Sequence, residues 1–276
     1  MSLCEPTEGE WRLVVQGSVG YNLVFAGCVC LACAVVVSSS NVVLADLQAR
    51  NAFLDKQRNV LLVAGLVNEE ERLTPDEIEL RFAPIQPVIL DLGTGEVVVG
   101  LDPEDFDQRL ATNDQARSRV APDNMAGVAR LPELALVYEV RGDGGELELV
   151  VLPIEGLGLW GTLYGFVALD GDLRTIRGLT FYEHKETPGL GGEVDNPRWK
   201  ALWPGRLAFN DELVPVVRVV KGVAGSLTDD PYAVDGLSGA TITSRGVTNL
   251  LQFWLGFDGF EPYLMRLRQS MAMGVG

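Results

Sequence analysis

Beyond Cys33 this chain has no thiol: all four cysteines, Cys4, Cys28, Cys30 and Cys33, fall within the first 33 of its 276 residues. The rest tolerates an oxidising compartment without mispairing, and the cytoplasm equally well. Histidine is scarcer still. His184 is the only one, which excludes metal sites built from several imidazoles. Positive charge is also in short supply. Lys and Arg number 22 against 38 Asp and Glu, a net charge of −16, and no basic cluster exists to neutralise the phosphates of a nucleic acid. Several catalytic signatures are missing as well: the Gly-x-x-x-x-Gly-Lys-Ser/Thr loop, His-Glu-x-x-His and the Gly-x-Ser-x-Gly elbow. Gly156 to Gly161 spells Gly-x-Gly-x-x-Gly, but a β-type segment follows it where a dinucleotide site requires a helix. Cys30 and Cys33 form a Cys-x-x-Cys with no second pair to complete a metal site.

Charge is absent altogether from Leu13 to Ala45, and residues 19–44 are mostly apolar. As a helix this stretch extends about 39 Å, enough to cross a bilayer with some tilt. A cleaved signal sequence and a lipoprotein signal are the rivals, the latter because Phe25-Ala26-Gly27-Cys28 approaches a lipobox. An upstream flank with three Glu against one Arg, and Phe at the first lipobox position, favour a retained span. Cys28, Cys30 and Cys33 then read as small membrane-packing residues beside Gly27, Ala32 and Ala34. The expected organisation is a short tail over 1–18, a transmembrane helix over 19–44 and one soluble domain over 45–276. Arg12 before the span and Arg50, Lys56 and Arg58 after it place that domain in the cytoplasm on a literal charge count.

Apolar spacing over 47–66 continues the membrane helix into an amphipathic one. Thr74-Pro75-Asp76-Glu77 opens a short helix ending near Ala83, with threonine as cap, proline at the first helical position and acids in the first turn. Residues 84–101 alternate and carry a Gly93-Thr94-Gly95 turn, which predicts a hairpin. The polar stretch 102–133 reads as an irregular or mobile excursion whose acids form a solvated surface, since no spacing matches a calcium loop. Strands are predicted over 135–141, 147–154, 163–169, 176–183 and 213–221. With no internal repeat and no linker, the fold class is α+β: a mostly antiparallel sheet flanked by helices, not a doubly wound nucleotide fold.

The segment 235–244 is the richest in chemistry. Gly236 and Gly239 permit close backbone approach, and Ser238, Thr241, Thr243 and Ser244 crowd one turn before a helical pattern of Val247, Leu250, Leu251 and Trp254. It reads either as a phosphate-handling turn at a helix N-terminus or as a plain cap by Thr243 or Ser244. Two glycine-rich loops accompany it, Gly156-Leu157-Gly158-Leu159-Trp160-Gly161 and His184-Lys185-Glu186-Thr187-Pro188-Gly189-Leu190-Gly191-Gly192.

Asp235-Gly236-Leu237-Ser238-Gly239-Ala240-Thr241 resembles the covalent flavinylation motif of the FMN-binding domain family. That resemblance implies that a flavin transferase moves FMN from FAD onto Thr241 as a phosphoester. Ser238, Gly239 and Ala240 would lie about the phosphate and leave room for the transferase, and Asp235 is the motif's one carboxylate. Gly20-Tyr21-Asn22, the Gly-Leu-Trp loop, the Glu-Thr-Pro-Gly-Leu-Gly loop and Phe253-Trp254-Leu255-Gly256 extend the likeness over nearly the whole chain. In that order they resemble the C-subunit family of Na+-translocating NADH:quinone oxidoreductases.

The resemblance implies one covalent FMN that relays electrons from NADH towards ubiquinone, within a six-subunit Na+-pumping complex in which the B-subunit is a notable partner. It also implies a single-pass protein of the bacterial inner membrane with its domain in the periplasm, against the charge count. Thr187, Leu190 and Gly191 would approach the flavin ring; Trp160 lines the same cavity or is a core tryptophan. Lys221 and Arg245 are either countercharges for the phosphate or plain surface residues, and His184 is either a proton partner or an ordinary strand-end residue. Two other functions remain open: a flavinylated component of a ferredoxin:NAD oxidoreductase, and a membrane-anchored scaffold without a redox centre.

Overall fold

The computed structural model describes residues 19–142 and 144–274; the expected tail, with Cys4 and Arg12, lies outside them. Helix α1 spans Val19–Val63, and its portion Val19–Ala45 is long and apolar enough to cross a membrane. Leu23, Val24, Phe25 and Leu31 stand exposed on it, as suits contact with lipid. The chain divides into two compact units, Met1–Phe53 and Leu54–Gly276. The second carries the chemistry.

Within that second unit the last turns of α1 bury Leu54, Val60, Leu61 and Val63. Helix α2, Pro75–Phe82, begins as its sequence dictates: Thr74 and Glu77 form a reciprocal capping box, with Pro75 at the first position. A five-stranded antiparallel sheet follows, built from β1 (Ile85–Asp91), β4 (Leu134–Arg141), β5 (Leu147–Leu157), β6 (Thr162–Asp170) and β7 (Ile176–Glu183), in that spatial order. Side chains alternate across a strand. Ala135 and Val137 of β4 therefore join one apolar cluster, whereas Leu136, Tyr138 and Val140 join the other. The second cluster is closed by α1, by Ile78 of α2, and by Phe106 and Ala111. The first is closed by two C-terminal helices, α5 (Thr241–Trp254) and α6 (Glu261–Ala272), with Trp203 at 0% exposure. Tyr263 of α6 donates its hydroxyl to the buried Glu139 of β4, which also pairs with Arg141 at 2.8 Å. The α+β class and the antiparallel sheet flanked by helices are as the sequence pattern predicts; the structure adds that the helices cover both faces.

Three local expectations fail for physical reasons. The hairpin over 84–101 has almost no return strand beyond the single bridge Leu90 to Val97, because Gly100, at φ +94°, turns the chain away and Val99 is left 92% exposed. The excursion 102–133 is ordered: Asp107 caps α3 (Gln108–Asn113) through the Arg109 and Leu110 N–H groups, and β2 (Ser118–Val120) pairs with β3 (Arg130–Pro132). The strand over 213–221 shrinks to β8 (Arg218–Val219), since Leu213 sits at φ +62° and Pro215 has no N–H to donate. Its partner is not a hairpin neighbour but the parallel strand β9 (Ala233–Val234).

Candidate cofactor site

The chain leaves β9 directly into the segment 235–240 and enters α5 at Thr241. Gly236 donates to the Gly222 carbonyl at 2.8 Å, and a Cβ on Gly236 would collide with the Val220 carbonyl oxygen. Gly239 adopts φ +71°, where a side chain would be strained. Ala240 occupies the cap position of α5 and contributes no side-chain hydrogen bond. Thr243 and Ser244 are therefore not caps, contrary to one reading of the sequence. Both are buried inside the first turn, where the Ser244 hydroxyl accepts the Leu237 N–H at 3.1 Å. Thr241, by contrast, is exposed at the first helical position. The opening N–H groups of an α-helix lack intrahelical acceptors and carry partial positive charge, so this hydroxyl stands where an anion is favoured.

A cleft of about 620 Å³ opens beside it. Asp235, Ser238, Gly239 and Thr241 line the cleft together with Arg218, Lys221 and Arg245. Arg218 is ion-paired with Asp230. Lys221 and Arg245 are exposed and make no ion pair among the described residues, a notable pairing of free cations in a chain of net charge −16. Asp235 is a fastener: its Oδ1 accepts the Ala224 N–H at 2.8 Å and its carbonyl accepts Trp199 Nε1 at 2.9 Å.

The two glycine-rich loops meet on another flank of α5, and a buried carboxylate joins them. Glu186 Oε1 accepts the N–H groups of Leu159 and Trp160 at 2.9 and 2.8 Å, and Oε2 accepts the Thr243 hydroxyl at 2.5 Å. Glycines make this junction possible. A Cβ on Gly158 would lie 2.6 Å from Glu186 Oε1, and one on Gly191 would lie 2.6 Å from Thr243 Oγ1. His184 Nδ1 accepts the Glu186 N–H at 3.1 Å while Nε2 meets Asp195 at 2.7 Å, so the imidazole serves the loop's geometry. Nearby at the ends of β6 and β7, hydrogen bonding to Arg109 holds the Glu183 carboxyl below its usual range. Burial pushes that of Glu155 up.

Of the residues singled out in the sequence, Asp235, Ser238, Gly239 and Thr241 share the cleft. Ala240 is buried beneath it as the helix cap. Thr187, Leu190, Gly191 and Trp160 are not among its lining residues. Leu190 reaches it nonetheless, with Cδ2 2.9 Å from where a Gly239 Cβ would be. The Thr187 carbonyl accepts the Leu190 and Gly192 N–H groups, fixing the loop's turn. Trp160 is 65% exposed and so is no core residue; with Leu157, Leu159 and Leu190 it belongs to the molecule's exposed apolar surface. Glu186 is the residue that sequence reasoning missed. The available signal was an acid leading directly into a glycine-rich turn, opposite a second glycine-rich loop with free backbone N–H groups.

Comparisons with known proteins agree with this anatomy. Residues 158–256 match the sequence model of the FMN-binding domain. The chain is 46% identical to the C-subunit of the Na(+)-translocating NADH-quinone reductase of Yersinia pestis, over 92% of this chain and 94% of that one. It is 44% identical to the protein of the same name from Pseudomonas aeruginosa, over 93% and 99% respectively. Among solved structures, Shewanella oneidensis NqrC superposes with a TM-score of 0.72 at 37% identity, covering 81% of this chain and all 100% of the other. The C-subunit from Parabacteroides distasonis gives 0.61 at 27% identity, over 80% and 96%. Likeness at this level over almost the full length of both partners leaves one family: the chain belongs to the C-subunit family of Na(+)-translocating NADH-quinone reductases.

Proposed function

We propose that this chain is the FMN-carrying, electron-relaying component of a Na(+)-translocating NADH-quinone reductase, and that its FMN is esterified through the phosphate to Thr241. The observation that carries the reading is the setting of Thr241: an exposed hydroxyl at the N-terminus of a 14-residue helix, on a cleft with two cations that form no ion pair among the described residues. The donor set fits a flavin mononucleotide. Lys221, Arg245 and the first-turn N–H groups suit its phosphate, and exposed Leu190 and Trp160 offer apolar contact for a ring. FMN supplies reversible electron transfer when bound.

The chain's own residues do the rest. During maturation Thr241 Oγ1 would serve as the nucleophile towards the FMN-side phosphorus of FAD. The new O–P bond would form as the pyrophosphate bond breaks, with AMP leaving and the hydroxyl proton passing to a base of the flavin transferase. Afterwards Lys221 and Arg245 balance the ester's negative charge, Asp235 keeps the motif folded, and Thr187, Leu190 and Gly191 border the ring. The partners in this reading are the B-subunit and the other members of the complex. Its site is the bacterial inner membrane, with the domain in the periplasm. A following domain of this size translocates regardless of a small charge bias, which answers the count at Arg50, Lys56 and Arg58.

Co-expression with a flavin transferase is expected to give a band whose flavin fluorescence survives denaturing electrophoresis. A dark band beside an active transferase would overturn covalent attachment. For the orientation, a cysteine replacing exposed Met125 is expected to react with an impermeant maleimide in cells whose inner membrane is intact. Labelling that appears only after the inner membrane is permeabilised places the domain in the cytoplasm instead.

A further inference from the structure

The geometry points to Glu186 as a positioning residue: it locks the ring-side loops to the helix that bears Thr241, and its charge lowers the reduction potential of a flavin carried beside them. The inference rests on the reading of Thr241 above.

Glu186 is 5% exposed, and neither of its oxygens is idle. Three donors converge on it from 26, 27 and 57 residues away in sequence: two backbone N–H groups of the Gly-Leu-Trp loop and the hydroxyl of Thr243. None of the three is a cation, and Glu186 takes part in no salt bridge among the described residues. Purely structural junctions are more stable when apolar, because burying a charge carries a desolvation cost that hydrogen bonds only partly offset. A charge kept here is in a place to act. It lies one residue from Thr187, accepts the Trp160 N–H and leaves no room for a Cβ on Gly191, among the residues proposed to border the ring. Thr243, its third partner, is two residues from the ester. Through its three bonds Glu186 therefore fixes where Leu159, Trp160 and the first turn of α5 stand relative to each other. A negative charge at close range in a poorly polarisable interior opposes further negative charge on a reduced ring.

Two measurements test it. In full-length protein made without the transferase, amide hydrogen exchange is followed over 158–161 and 238–244. Thr243→Val alters only α5, yet it is expected to speed exchange in 158–161 as well as in 238–244; Glu186→Ala should do the same from the other end. Unchanged exchange at 158–161 in Thr243→Val would overturn the positioning role, even if Glu186→Ala fails to fold. In the flavin-bearing protein, Glu186→Gln keeps the shape and one acceptor oxygen but removes the charge. Its flavin is expected to titrate at a more positive midpoint potential than the wild type, and an unmoved midpoint overturns the electrostatic role. A wild-type chain without bound flavin refutes the Thr241 reading alone, since the exchange experiment still decides the role of Glu186.

Discussion

Thr241→Leu is expected to reduce covalent flavin to background while leaving the fold intact. Four hydroxyls crowd the motif, but the structure separates them. Thr243 and Ser244 are buried with their oxygens engaged, by Glu186 and by the Leu237 N–H, whereas Ser238 and Thr241 are exposed. Of the exposed pair only Thr241 lies within the helix, at its first position. Thr241→Ser keeps a nucleophilic oxygen there and should retain labelling. Stability should move by no more than about 0.5 kcal/mol in either variant, because an exposed side chain is exchanged without opening a cavity. The check is in-gel fluorescence beside intact-protein mass, with the denaturant midpoint as control. Flavin persisting in Thr241→Leu would shift the assignment to Ser238.

Trp254→Ala should be the more damaging change to the fold. The indole is 1% exposed, packs against Phe253 and Phe260 with ring centroids 5.6 and 5.5 Å apart, and donates Nε1 to the Glu155 carbonyl at 2.7 Å. Removing a buried aromatic of this size costs about 3–5 kcal/mol. That is a large share of the roughly 5–15 kcal/mol that holds a typical domain together. Trp254→Phe retains most of the packing but withdraws the donor from the Glu155 carbonyl, for about 1–3 kcal/mol. Urea unfolding measures both. A loss below about 1 kcal/mol in Trp254→Ala would show that α5 is not anchored through this residue. Because Thr241 begins the helix that Trp254 ends, the alanine variant should also be flavinylated more slowly than the wild type.

Period and punctuation made the long elements legible. Strands β4 to β7 are continuous apolar runs broken by glycine turns, and the Thr74-Pro75-Asp76-Glu77 signal placed α2 to within a residue. What stayed hidden was short or non-local. Helix α3 depends on the Asp107 cap and buries only Ala111, too little to leave an apolar stripe. The β8 and β9 pair is two residues long and parallel, and it is joined across 220–232 by a loop with no periodicity at all. At the site, Thr241 was conspicuous because its motif is contiguous. Glu186 was not, because its partners are distant in sequence and its meaning arises only when two loops and the first turn of α5 close on one carboxylate.

The attachment of the C-terminal helices bears on how the chain reaches this state. The sheet strands β4 to β7 are joined by short connections and find one another locally. Helices α5 and α6 are fastened by partners far upstream: Thr243 to Glu186 across 57 residues, Trp254 to Glu155 across 99, Tyr263 to Glu139 across 124. Each such contact closes a long loop, and the entropy of closure is smaller once the intervening sheet is already formed. The Thr241 hydroxyl thus belongs to a part of the domain that follows the sheet in sequence and is docked on it across long separations. Under the proposed function, a transferase would meet this hydroxyl in its final setting only after the upstream sheet has formed.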